Sequence, residues 1–381
     1  MKQIFEKKIA VGLATAIFLL IGCEAGRGDE IENNFFTENP YVLIDSIWAG
    51  FDAHLEEGAF AVGLAITDHF GYGLYNPTFD PDNLHLYEPF YGNVALEQAD
   101  DVLAAVVENI SLEANEFIFK VFLNYEEVSF RILGMEDYVT DFVFTLEARQ
   151  QVEFPFILGI DFPEEDVTYK LTATIFLEPY SHASSGDNDL WFGSSNAVSV
   201  DVSFGNGGEI NLAQTYNHIP LEYQKNWGWS RGIDIWLAPE LYNINSALYI
   251  DYANLPVIQV SPNETLNFGY LVGLLGPHNQ FHTIGDMEIL PPELVVQNYV
   301  VLALLDWQQI PLNGHPYLFV TVEGNDDEDM VHYGQFSIIA PGEPGLYDFI
   351  AFIFPNANYR KTLYSFLPIS ASFRFTIEVV E

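Results

Sequence analysis

Along most of this chain the apolar residues do not recur with a helical period. They come in short aromatic and β-branched runs, punctuated by Pro, Gly and Asn. Residues 117–123, 142–146, 170–177, 299–305, 317–322, 349–354 and 371–379 each read as a β-strand. Residues 198–204 alternate apolar and polar side chains, which predicts a strand buried on one face only. Regular structure is expected to begin at Tyr41-Val42-Leu43-Ile44. One window departs from this habit: Leu96, Leu103 and Val107 can share a helical face, so a short helix is expected within 94–107.

A second pattern operates on a longer scale. Phe122-Leu123-Asn124-Tyr125-Glu126-Glu127-Val128-Ser129-Phe130 matches Leu304-Leu305-Asp306-Trp307-Gln308-Gln309-Ile310-Pro311-Leu312 in residue type at nearly every position. Further on, Pro163 and Tyr169 line up with Pro341 and Tyr347, each pair reading as a turn followed by a strand. Upstream, Ser46-Ile47-Trp48-Ala49 pairs with Asp234-Ile235-Trp236-Leu237. So long a period exceeds the roughly 20–50 residues of solenoids and propellers, and implies a duplicated domain. Many strands without βαβ alternation predict an all-β protein of two tandem antiparallel β-sandwiches. The architecture resembles the immunoglobulin fold, although no Cys–Trp–Cys pattern accompanies it. The expected domains are 40–205 and 233–381, joined by a linker at 206–232. In each repeat the ring of Tyr125 or Trp307 is expected to plug the core.

The N-terminus follows a different pattern. Lys2, Lys7 and Lys8 precede an apolar run at 9–21, the charged and apolar regions of a secretory signal peptide. The run is shorter than the roughly 20 residues that a spanning helix needs. It ends in Leu20-Ile21-Gly22-Cys23, which resembles a bacterial lipobox. That resemblance implies that 1–22 is removed, and that Cys23 becomes an N-terminus carrying diacylglycerol and a further acyl chain such as palmitate. Buried acyl chains contribute about 0.8 kcal/mol per CH₂, and two or more anchor far better than one. The polar, acidic residues 23–39 then act as a tether. The resemblance places the body on the extracytoplasmic face of a bacterial membrane, in the cell envelope.

Composition narrows the partners. With 13 Lys and Arg against 54 Asp and Glu, the formal charge is −41, which excludes phosphate backbones and hence nucleic acid. Anionic headgroups repel such a body as well, so the lipid is the membrane attachment. A single cysteine cannot close an intrachain disulfide, so the sandwiches must hold by packing.

Three groups of residues carry candidate chemistry. Asp187 and Asp189 follow a glycine, and Asp326, Asp327 and Asp329 form a second acidic loop; Asp80 and Asp82 form a third. Oxygen-rich loops suit Ca²⁺, although none of these has EF-hand spacing. Calcium is therefore the one cofactor the sequence offers, with solvated acidic loops as the alternative. Trp227, Trp229 and Trp236 form the densest tryptophan cluster, able to stack on a sugar or to seal a domain junction. His278 and His282 are four apart but lack a third zinc ligand. No nucleophile elbow, His-Glu-x-x-His or phosphate loop occurs, and no catalytic residue is identified. The chain reads as a non-catalytic binding or structural module with an envelope protein or glycan as partner. The competing reading is a glycan-capturing surface protein or a polysaccharide hydrolase.

Overall fold

The computed structural model describes residues 42–43, 62–68, 93–96, 101–109, 111–160, 167–182, 195–204, 225–226, 257–273, 283–284, 287–288, 298–321, 330–355, 370–371 and 374–381. Among these residues every regular element is a strand. The chain divides into two compact units. Unit 1 comprises Met1–Pro179, Gly193–Asn211 and Arg360–Leu363; unit 2 comprises Tyr180–Phe192, Leu212–Tyr359 and Tyr364–Glu381.

Unit 1 is a sandwich of two sheets. One contains β1 (Val42–Leu43), β2 (Val62–Asp68), β4 (Leu103–Asn109), β7 (Phe130–Ile132) and β9 (Gln151–Leu158). The other runs in the order β3 (Asn93–Leu96), β11 (Ser195–Phe204), β10 (Thr168–Leu177), β5 (Asn115–Leu123) and β6 (Glu126–Glu127), with β8 (Asp141–Leu146) also on β5. Their facing side chains form one core, in which Phe119 meets Phe130, Phe154 and Phe156 edge-on, with centroids 4.9–5.9 Å apart in this cluster. Edge-to-face packing is the geometry that the ring quadrupoles prefer.

Unit 2 repeats the plan. β12 (Lys225–Asn226), β14 (Thr265–Gly273) and β20 (Met330–Ile339) form one sheet. Opposite it the order is β13 (Val257–Val260), β23 (Phe375–Val379), β21 (Gly345–Pro355), β17 (Asn298–Leu305) and β18 (Gln308–Ile310). β19 (Leu318–Thr321) lies on β17 and β22 (Ser370–Ala371) on β21, while β15 (Thr283–Ile284) and β16 (Met287–Glu288) form a separate hairpin.

In both units the first strand of the longer sheet lies parallel to the last strand of the unit. The other pairings along that order are antiparallel. This is the immunoglobulin-like order, and unit 2 adds a second mark of it. The Tyr347 hydroxyl, near the start of β21, donates 2.9 Å back to the carbonyl of Glu343, the tyrosine corner of that fold. Antibody domains pin their two sheets with a disulfide two residues further along this strand. Here that position is Phe349, stacked on Phe268 of β14 with centroids 4.8 Å apart.

Two expectations from the sequence are overturned. The window 94–107 holds parts of β3 and β4, and its described residues include no helix. Leu103, Ala105 and Val107 are all buried in the unit 1 core. A spacing of four fits the period of a strand as well as that of a helix, so Leu103 and Val107 share a face in either. β11 is not half-buried: Ser199, Asp201 and Ser203, on its polar face, are at most 8 % exposed. That face is tolerated because its groups bond one another, Asp201 to Lys170 and Ser199 to Thr172. Residues 299–304 of β17 and 349–354 of β21, by contrast, are buried on both faces with apolar side chains, as these continuous apolar runs require.

Two substitutions test this core by urea unfolding. Phe349→Ala is expected to cost about 3–5 kcal/mol, because it removes the inter-sheet stack and leaves a cavity. Gly334 faces Tyr270 across the β14–β20 pair, and a Cβ there would run into the ring itself. Gly334→Ala is expected to cost about 1–3 kcal/mol, the range for overpacking. Tyr270→Phe should not relieve it, because the ring carbons clash as well as the hydroxyl.

Candidate functional site

The matched sequence blocks fold into matched hairpins. In unit 1, Leu123 pairs with Glu126, leaving Asn124 and Tyr125 as a two-residue loop. In unit 2, Leu305 pairs with Gln308 around Asp306 and Trp307. All four loop residues have positive φ: 49° and 67° in unit 1, 46° and 64° in unit 2. That is the type I′ turn, whose twist matches the strands it joins and which favours Asn or Asp. A bulky ring in left-handed backbone is strained. The ring's burial offsets that strain: Tyr125 is 2 % exposed and Trp307 is 7 % exposed.

The first loop residue then locks the hairpin to the neighbouring strand. The amide of Asn124 donates to the Lys170 carbonyl, and its side-chain oxygen accepts from the Lys170 amide, at 2.7 and 2.9 Å. Asp306 does the same with Asp348, at 2.8 and 2.9 Å. The side chains of the two locked residues carry opposite charges, and each finds a buried counter-ion. Lys170 Nζ lies 2.5 Å from Asp201 on β11. Asp348 lies 2.5 Å from Arg374 Nη2, with Thr376 and the half-exposed His182 also on its carboxylate. Arg374 in turn lies over the Trp307 ring, 4.7 Å from its centroid, and donates to the carbonyl of Ser181. At this matched position each unit thus carries a buried ion pair, with the polarity exchanged.

The electrostatics follow from burial. Withdrawal from water pushes the Lys170 ammonium down from its ordinary value, against the pull of Asp201. Desolvation and then the Asp348 charge push the Asp306 carboxyl up; the Asp348 amide, His182 and Arg374 act in the opposite direction. Elsewhere in unit 1, Lys120 is fully buried on β5 and pairs with Glu127. Asn109 and Ser111 form a further buried knot, Asn109 reaching the carbonyls of Leu146 and Glu147 at 3.1 and 3.0 Å.

Cys23, the tryptophans Trp227, Trp229 and Trp236, and the acidic loops with Asp80, Asp82, Asp187, Asp189, Asp326, Asp327 and Asp329 lie outside the described residues, as do His278 and His282. Among the described residues no three His, Cys, Asp or Glu side chains are grouped to hold a metal ion, and no helix is long and apolar enough to cross a membrane. The buried pairs leave only a faint mark on the sequence. Their signal is a lone charge inside an apolar strand: Val200-Asp201-Val202, Tyr347-Asp348-Phe349 and Phe373-Arg374-Phe375.

No protein-family model matches the chain, and no curated protein sequence does. Among solved structures it is similar to the C-terminal domain of the AgI/II polypeptide BspA of Streptococcus agalactiae. That match has 9 % identity and a TM-score of 0.23, covering 84 % of this chain and 100 % of that one. It is also similar to a chaperone–tip adhesion subunit complex from the Csu pili of Acinetobacter baumannii. The figures there are 7 % identity, a TM-score of 0.21, and coverage of 76 % and 96 %. A CARDB domain from Pyrococcus furiosus, in complex with di-metal ions, matches at 13 % identity and a TM-score of 0.22, covering 40 % of this chain and 96 % of that one. At such scores none of these likenesses transfers a ligand or a role to this chain.

Two predictions follow from the locked hairpin of unit 2. Asp348→Ala is expected to cost about 3–5 kcal/mol in urea unfolding, because it removes the carboxylate that the buried Arg374 meets at 2.5 Å. Asp306→Asn installs the residue that unit 1 already uses and keeps the oxygen that accepts from Asp348. A carboxyl whose pKa is raised by folding contributes stability below its ordinary value of 3.8 and loses that contribution as pH rises through the raised value. Asp306→Asn should therefore melt higher than the parent at neutral pH, and the gain should vanish below about pH 3.8.

Proposed function

We propose that this chain is a lipid-anchored, extracytoplasmic protein of a bacterial envelope that acts as a non-catalytic binding or structural module. The observation that carries the reading is the use each unit makes of its buried charge. Lys170 is paired with Asp201, and Arg374 with Asp348, each pair tied to a locked hairpin. Buried charge arranged in this way ties neighbouring segments of one sheet together and leaves its ions engaged with one another. Chemistry on a substrate needs such groups to face a ligand. The anchor rests on the lipobox-like Leu20-Ile21-Gly22-Cys23, and the partner class on the strongly acidic composition.

The second reading, glycan capture, rests on the sequence cluster Trp227-Gly228-Trp229 with Trp236. A calcium requirement would rest on the acidic loops.

Expression in a bacterium fed radiolabelled palmitate tests the anchor. Label is expected in the membrane fraction for the parent, and none for Cys23→Ala; labelled Cys23→Ala would sink this assignment. Thermal unfolding of the purified protein against a glycan panel and against CaCl₂ tests the rest, since a ligand of the native state raises Tm by mass action. A sugar-dependent rise abolished by Trp229→Ala would replace the first reading with glycan capture.

A further inference from the structure

Lys170 and Asp201 are direct cross-strand partners on β10 and β11. The lysine nitrogen and a carboxylate oxygen are 2.5 Å apart, and the two side chains are 3 % and 0 % exposed. Two groups able to condense to an amide are therefore held in contact, away from bulk water. Burial disfavours the charge on Lys170. The neutral pair, an amine beside a carboxylic acid, differs from the ion pair only in the position of one proton. The pull of Asp201 does not outweigh burial at Lys170, whose ammonium is driven toward the neutral, nucleophilic amine. The flanking rungs of the same face are Thr168 with Ser203 and Thr172 with Ser199, all buried hydroxyls. The Thr168 hydroxyl has no hydrogen-bond partner among the described residues.

The geometry points to an intramolecular isopeptide bond between Lys170 Nζ and Asp201 Cγ, formed by the folded chain itself. The ammonium passes one proton to the carboxylate, giving an amine and a carboxylic acid. The amine lone pair attacks Cγ to give a tetrahedral centre. The C–OH bond then breaks, and the departing oxygen takes a second proton from the nitrogen. One C–N bond forms, one C–O bond breaks and one water leaves, with no oxidant, reductant or co-reactant. Holding the two groups in contact supplies the effective concentration, which reaches about 10⁵–10⁸ M in well-oriented intramolecular reactions.

The other buried cations among the described residues do not share this chemistry. Arg374, the counterpart in unit 2, remains a delocalised cation with no free lone pair to attack Asp348. Lys120 faces Glu127 and Asp141, whose side chains are 14 % and 39 % exposed and so reach water.

Mass spectrometry decides the matter. The full chain is purified as its Cys23→Ala form, so that lipid does not blur the mass, and held folded at neutral pH for a day. It is expected to weigh one water less than its encoded mass, and its denatured tryptic digest is expected to contain a branched peptide joining Lys170 to Asp201. Lys170→Arg should carry its full encoded mass, and Asp201→Asn should lose ammonia in place of water. An encoded mass for the parent, with Lys170 and Asp201 on separate peptides, overturns the proposal. So does a branched peptide in which Lys120 stands where Lys170 is expected.

Discussion

The longer sheet of each unit depends on a reciprocal pair of hydrogen bonds between a turn residue and the next strand. Asn124 grips both polar backbone groups of Lys170, and Asp306 grips those of Asp348. Because the grip is two-way, it fixes the register of hairpin and strand together. The side chain at the gripped position is thereby committed to one place, and in both units that place is buried. A charge held there must have a partner, since an unpaired buried ion costs several kcal/mol. The ion pairs are thus a consequence of the lock. They need not be of one polarity, and the two units have resolved the same requirement in opposite senses.

The chain must hold its sheets together without a disulfide, and aromatic packing takes that part. Phe268 on Phe349 bridges the sheets of unit 2, and the Phe119 cluster does so in unit 1. Neither kind of bridge depends on redox state. This accounts for the abundance of phenylalanine, 31 residues in a chain with one cysteine.

Strand positions were legible because β-branched and aromatic runs between Pro and Gly admit few other structures. The repeat was legible because the I′ turn restricts its first residue to Asn or Asp, and burial restricts its second to a ring. The helix read into 94–107 failed where three apolar residues were too few to separate the two periods. The second face of β11 failed for another reason. Ser199 and Asp201 are polar in composition but satisfied within the fold, and pairing partners 27 and 31 residues away leave no mark on a local pattern. Lys170 and Asp348 were invisible as a matched pair because a swap of charge erases the similarity that alignment reads.

Placing cations in the interior has an effect outside it. Lys120, Lys170 and Arg374 are each at most 2 % exposed, in a chain with only 13 Lys and Arg. Each is buried against a carboxylate, so the pairs cancel inside the fold and the formal −41 is carried by the rest of the chain, as a shell with three fewer cations to interrupt it. Such a shell gathers a dense cloud of counter-ions that reaches about 8 Å at physiological ionic strength. Neighbouring copies crowded on one surface would keep their distance through that cloud, and their spacing would contract as salt rises.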